Sequence, residues 1–232
     1  MRNTAVILWV VLVILSGCQN SGGWTPLFNG EDLDGWHIYN AGKNYNGWIV
    51  KDQVLAFNPS QRTEASSAYL VTDQEFTNFE ISFEWMIGEQ GNSGFFWGVA
   101  EDPAYEYPYL TGPEIQILDD NWTAYIEERG DINRAGALYN LMAPDKIVSN
   151  PANTWNHYLI HIDHQNNQGF VEFNEERVLE FPVNGPEWDK LVAASGFAQT
   201  QGFGIYQTGR LALQDHGSRV AFRNIKIRDL QR

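Results

Sequence analysis

Six stretches of the chain read as strands: Phe79–Trp85, Ser93–Val99, Glu114–Leu118, Asn156–Asp163, Gly169–Phe173 and Val220–Arg228. Several alternate apolar with polar residues, the pattern of a sheet with one face on a core and the other toward solvent or ligand. Gly, Asn, Asp and Pro punctuate the intervals, and apolar repeats of helical period are nearly absent. Short strands spaced by turn residues predict an antiparallel β-sandwich, not a βαβ fold. The 21 glycines suit tight turns and bent strands. No internal repeat and no linker breaks residues 24–232, so the pattern predicts one domain there.

Composition narrows the class. Of 232 residues 43% are hydrophobic and 14% aromatic, too much apolar mass for a disordered chain. A net charge of −14 with no Lys/Arg cluster offers nothing to a phosphate backbone, which excludes nucleic acid as the expected partner. The single cysteine, Cys18, rules out an intrachain disulfide and a cysteine zinc site. Arg2, the apolar run Ala5–Leu15 and then Leu15-Ser16-Gly17-Cys18 resemble the signal peptide and lipobox of a bacterial lipoprotein. At 1.5 Å per residue such a run of about ten apolar residues is too short to span a bilayer. The expectation is a signal peptide over 1–17, lipidation at Cys18, a polar tether over 18–23, and a place in the cell envelope with membrane contact through acyl chains alone.

Candidate chemistry gathers in two places. In Glu114-Ile115-Gln116-Ile117-Leu118 the period of two sends Glu114 and Gln116 to one face and the isoleucines to the other. With the isoleucines in the core, a carboxyl and an amide about 7 Å apart face a ligand. Gln214-Asp215-His216-Gly217 sets an amide, a carboxylate and an imidazole together, and His216 suits proton transfer near neutrality. Asp215, adjacent in a strand, would face away from His216. His37, His157, His161 and His164 read as structural or surface residues. Trp85, Phe83 and Phe222 read as core. Tyr105-Glu106-Tyr107-Pro108-Tyr109 lies shortly before Glu114, and Tyr107 and Tyr109 are candidates for a platform on which a sugar's C–H face stacks. Asp119-Asp120-Asn121 carries oxygen ligands that a hard cation could use, but three adjacent polar residues cannot all point inward, and a plain turn is the favoured reading.

Segments in order along the whole of 24–232 resemble the 3-keto-disaccharide hydrolase domain family. They are Trp24–Trp36, Trp48–Leu55, Gly91–Phe96, Gly112–Asp119, Ala135–Tyr139, Leu213–Gly217 and Phe222–Arg228. The resemblance implies a concanavalin-like jelly roll with a carbohydrate cleft, an oligosaccharide or glycoside substrate, and cleavage of glycosides oxidised at C3. The ketone acidifies the C2 hydrogen, so a base (His216 or Glu114) forms an enolate and the C1 substituent leaves by elimination before water adds. It further implies Gln116 and Gln214 as donors to developing oxyanions and Tyr139 or a water as the acid. A divalent cation polarising the ketone is the one cofactor the resemblance leaves open. Members of the family often carry a Lys where this chain has Gly196, often a His within what is here Asp120–Tyr125, and usually an Asn-Gly turn where this chain has Asn174-Glu175. A retaining glycosidase is disfavoured, because Gln116 stands where a second carboxylate is needed. A non-catalytic, lectin-like binding protein is the rival reading, and His216 discriminates.

Overall fold

The computed structural model describes residues 23–63 and 68–230. Cys18, the signal peptide and nearly all of the tether lie outside the described residues. The strands are β1 (Thr25–Pro26), β2 (Trp36–Ile38), β3 (Trp48–Lys51), β4 (Val54–Phe57), β5 (Leu70–Phe76), β6 (Phe79–Ile87), β7 (Asn92–Val99), β8 (Glu114–Leu118), β9 (Asn156–Asp163), β10 (Gln168–Phe173), β11 (Glu176–Phe181), β12 (Gly209–Leu213) and β13 (Val220–Asp229). Two short helices, α1 (Thr123–Arg129) and α2 (Gly185–Ala193), sit in the connections.

All pairings are antiparallel, and they build two sheets. The larger runs β11-β10-β9-β6-β13-β4-β3, with β1 also on β13, and the smaller runs β2-β5-β12-β7-β8. The long middle strands of the larger sheet bury every second side chain toward the smaller one, as Tyr158, Ile160 and Ile162 do in β9. The isoleucines of β8 join them, so Ile115 and Ile117 are core and Glu114 and Gln116 face outward. Phe83, Trp85 and Phe222 are fully buried, and Phe83 meets Phe95 of the opposite sheet at 5.6 Å between ring centres.

One core contact positions the site directly. Tyr158, wholly buried in β9, donates its phenol proton across the sandwich to the carbonyl of Gln116 at 2.8 Å. On the far side of β8, the segment after α1 lies along the strand. Its backbone bonds are Gly136 N–H to the Gln116 carbonyl, Gln116 N–H to that of Ala137, and Tyr139 N–H to that of Glu114, at 2.9–3.0 Å. Gly136, at φ +81°, supplies the left-handed turn that this path needs. The strand that carries Glu114 is therefore clamped by the core and by a covering segment.

The Asn174-Glu175 hairpin between β10 and β11 adopts φ +48° and +70°, so a glutamate occupies a position that glycine fills at less cost. Asp119 and Asp120 spend their carboxylates on local donors. Asp119 accepts from the backbone of Gln90 and Asn121, and Asp120 from Ala135 N–H and Ser149 Oγ. Among the described residues no group of three or more His, Cys, Asp or Glu side chains is gathered as a metal would need. Three of the remaining histidines have structural partners: His37 bridges Asp73 and Glu101, His157 meets Ser82 and His161 meets Glu80.

Candidate active site

The outer face of the five-stranded sheet holds a cavity of about 300 Å³ lined by Glu114, Gln116, Gln214, His216, Tyr139 and Tyr109 together with Tyr69, Asn92, Asn140 and Phe197. Topology explains why residues a hundred positions apart meet. Strand β12 inserts between β5 and β7, which sets Gln214 and His216 across β7 from the strand that ends at Leu118 and brings them to Tyr69, which immediately precedes β5. A bulge in β12 against both neighbours bends the strand just before Gln214.

Gly94 is the floor. It faces Gln116 across the β7–β8 ladder, and its carbonyl accepts the Gln214 N–H at 3.0 Å. A Cβ added at Gly94 would lie 2.6 Å from Cδ and 2.8 Å from Cγ of Glu114, and nearer still to Oε1. The absence of a side chain here is what makes room for the Glu114 carboxyl.

Glu114 is 7% exposed, and its Oε1 has no hydrogen-bond partner. Burial alone drives its pKa well above the usual carboxylate range, so the carboxyl retains its proton into conditions where surface glutamates are ionised. Around it the phenols of Tyr69 and Tyr139 are pushed up as well. Burial is the main cause for both, with Glu114 adding at each and Tyr125 adding at Tyr139. Both phenols therefore stay protonated as donors. Tyr125 links to Tyr139 by a hydrogen bond and accepts one from Asn92 Nδ2 at 3.4 Å. His216 is exposed and stands at the mouth.

The two amides are oriented contrary to the donor roles expected of them. Gln116 Nε2 donates to the Asn133 carbonyl at 3.2 Å and Gln214 Nε2 to the Tyr69 phenol at 3.1 Å. Each is left with a buried, unpartnered Oε1. They offer acceptors for sugar hydroxyls, and the phenols of Tyr69 and Tyr139 are among the donors.

Two of the sequence candidates stand apart. Asp215 is buried against Arg62, with its Oδ2 3.5 Å from the guanidinium, and does not line the cavity. Tyr107 does not line it either but stacks on Tyr109, with ring centres 5.1 Å apart and planes 8° from parallel. Tyr69, Asn92, Asn140 and Phe197 were not singled out by sequence. Only Asn92, inside the Gly91–Phe96 motif, carried any signal. Gly196 adjoins the cavity, since a Cβ there would lie 2.5 Å from Asn140 Nδ2. At the position of the family lysine this chain instead packs its backbone against an amide.

Residues 23–228 match the family described as the 3-keto-alpha-glucoside-1,2-lyase-like domain. The chain belongs to this family. A 3-keto-disaccharide hydrolase of Bacteroides thetaiotaomicron is 29% identical over 235 aligned positions, covering 91% of this chain and 80% of that one. The crystal structure of a candidate glycosyl hydrolase from Parabacteroides distasonis is 34% identical and superposes with a TM-score of 0.83, covering 94% of this chain and 99% of that one. A Bacillus subtilis protein with a galectin-like fold, 12% identical, superposes with a TM-score of 0.55 over 89% of this chain and 94% of its own. That last likeness is one of fold and bears out the jelly-roll architecture. In this member of the family the described part of the cavity holds one acid, Glu114.

Proposed function

We propose that this protein is a carbohydrate-active enzyme that cleaves 3-keto-glycosides by elimination at C1 and C2 followed by hydration. The observation that carries the reading is Glu114: a single buried carboxyl, whose burial favours the protonated form, in a cavity whose other ionisable groups are phenols and one imidazole. Double displacement needs two carboxyl groups about 5–5.5 Å apart, and here the neighbouring acid, Asp215, is turned to Arg62. Elimination next to a ketone needs something else: a base for an acidified C–H, donors for an enolate oxygen and an acid for the departing oxygen.

The residues divide those roles. His216, at the solvent-facing mouth, takes the C2 proton. The electron pair forms the C1–C2 double bond of an enone as the C1–O bond breaks, and Glu114 gives its proton to the leaving oxygen. Tyr69 and Tyr139, both partly withdrawn from solvent, donate to the ketone oxygen as negative charge builds there. Gln116 and Gln214 accept from hydroxyls and fix the ring. Water then adds across the double bond, its hydroxyl to C1 and a proton to C2, so the net change is hydrolysis. The family description and the activity named for the Bacteroides relative support the same substrate class. Lipidation of Cys18 would hold the enzyme at the cell envelope.

The test is incubation of the purified domain with 3-keto-glucosides and their unoxidised parents in D2O. Cleavage of the oxidised set alone, with deuterium at C2 of the earliest product, is expected. Equal cleavage of the parents would refute the mechanism, and binding without turnover would make the protein a lectin.

A further inference from the structure

A second cavity, of about 620 Å³, opens on the outer face of the larger sheet, across the sandwich from Glu114. Its floor is Ser82 and Glu84 of β6 with His157 of β9, side chains that alternate with the buried Phe83 and Tyr158 and so point away from the core. Its walls include Asn29 and Gly30 after β1, Gln53 in the β3–β4 turn, and Asn224 and Lys226 of β13. Two wall residues hold a costly backbone. Asp52 and Gln53 make a two-residue turn at φ +53° and +63°, where glycine fits at less cost than glutamine. The Gln53 stem lies against Gly30, whose missing Cβ would be 3.4 Å from its Cβ and Cγ, so the side chain is laid along the cavity wall. Asn224 sits at φ +54° where the register of β13 against β6 shifts, and its Nδ2 donates to Glu84 at 2.5 Å.

The lining is close to electrically neutral. Glu84, its one carboxylate, is bound by Arg223 as well as by Asn224. Burial pushes the His157 imidazole below its usual pKa, so the ring is uncharged at neutral pH, and its Nε2 meets Ser82 Oγ at 2.9 Å. Lys226 is the one cation, and its ammonium already lies over the Trp24 ring at 5.4 Å. Past Glu84 and His157 the cavity adjoins a hollow of about 490 Å³, where Trp155, backed by the Arg223 guanidinium at 4.0 Å, supplies a flat apolar wall. Strained backbone at a lining residue points to a role for its side chain. Amides, a hydroxyl and a neutral imidazole each give and accept hydrogen bonds, as sugar hydroxyls do, while a flat ring suits a sugar's C–H face. An acyl chain would leave these polar groups without water or partner. An extended peptide finds no free backbone here, since β6, β9 and β13 are paired on both sides. We propose that this trough binds an uncharged oligosaccharide, so that the protein holds a glycan on the face opposite the Glu114 cavity. The inference does not depend on the reaction assigned to that cavity.

The experiment titrates the purified protein, by calorimetry and by amide NMR, with glucose tetrasaccharides linked α-1,4, β-1,3 or β-1,4 and with tetragalacturonate. At least one neutral tetrasaccharide should bind and shift the amides of Gln53, Ser82 and Asn224. Gln53→Gly relieves the turn and removes the side-chain amide, so it should raise Tm while weakening that binding about fivefold, the worth of one neutral hydrogen bond. A higher Tm with unchanged affinity would show that the strained glutamine serves no ligand and would overturn the proposal. Preferential binding of tetragalacturonate, lost in Lys226→Met, would make this a site for acids and overturn it as well. So would the absence of shifts at these three amides with every neutral tetrasaccharide, or shifts confined to the surroundings of Glu114.

Discussion

Substituting Gly94 by alanine tests the site through a single methyl group. Gly94 has no left-handed φ, so alanine is acceptable to the backbone and the whole effect is steric. The new Cβ would sit 2.6 Å from Glu114 Cδ, about 1 Å inside the usual carbon–carbon contact of about 3.5–4.0 Å. The carboxyl has to swing away, into space already held by Tyr69, Tyr139 and the covering segment. Overpacking of this kind costs about 1–3 kcal/mol. For a domain of this size that is a fall in Tm of about 2–12 °C. A displacement of about 1 Å in a reacting group costs on the order of 10²-fold in turnover. Calorimetry and single-substrate kinetics on Gly94→Ala should therefore show both losses. The decisive arm is Gly94→Ala placed in Glu114→Ala, where the methyl enters vacated space and should change stability by less than about 0.5 kcal/mol or raise it. An equal cost in both backgrounds, or full turnover by Gly94→Ala, would show that the carboxyl does not depend on this floor.

Four further outcomes are expected. Because the folded state holds the Glu114 proton while the unfolded chain releases it above about pH 4.3, stability is lost as pH rises through that window. Glu114→Gln removes the loss, so its Tm should converge with the wild type near pH 4 and exceed it by a growing margin toward pH 8; a constant difference would contradict the burial argument. His216→Ala should abolish turnover while changing ligand affinity little, since a base acts in the transition state, and unchanged turnover in steady-state kinetics would exclude it as the base. Glu175→Gly relieves a left-handed glutamate and should raise stability by about 1 kcal/mol in thermal melts, a gain that a lower Tm would refute. Cys18→Ala, expressed in a bacterial host with its leader, should leave the membrane fraction on fractionation, and continued retention would count against the lipid anchor.

Four strands of the larger sheet (β6, β9, β10 and β13) and two of the smaller (β7 and β8) were legible, and β9 shows why, since it buries every second residue and so displays its period. In β5 three buried residues precede three exposed ones, and β1 and β2 are two and three residues long, so neither carries a period to detect. At the site, Glu114 and Gln116 could be read from the isoleucines that alternate with them. Tyr69 could not. It depends on β12 lying between β5 and β7, a long-range pairing with no local signature. The same limit applies to the amides, whose donors are occupied by the Asn133 carbonyl and the Tyr69 phenol, groups 17 and 145 residues away.

Strand β8 is the outermost strand of its sheet, and the segment from Gly136 to Tyr139 occupies the backbone groups it would otherwise show to water. An open edge is a template for pairing with other chains. Closing it and enclosing Glu114 are therefore one event. A nascent chain whose β8 has formed but whose covering segment has not docked is both prone to aggregate and without a pocket for substrate. Activity then requires that this segment has docked, and hydrogen exchange at Gln116 and Tyr139 should track its gain and loss.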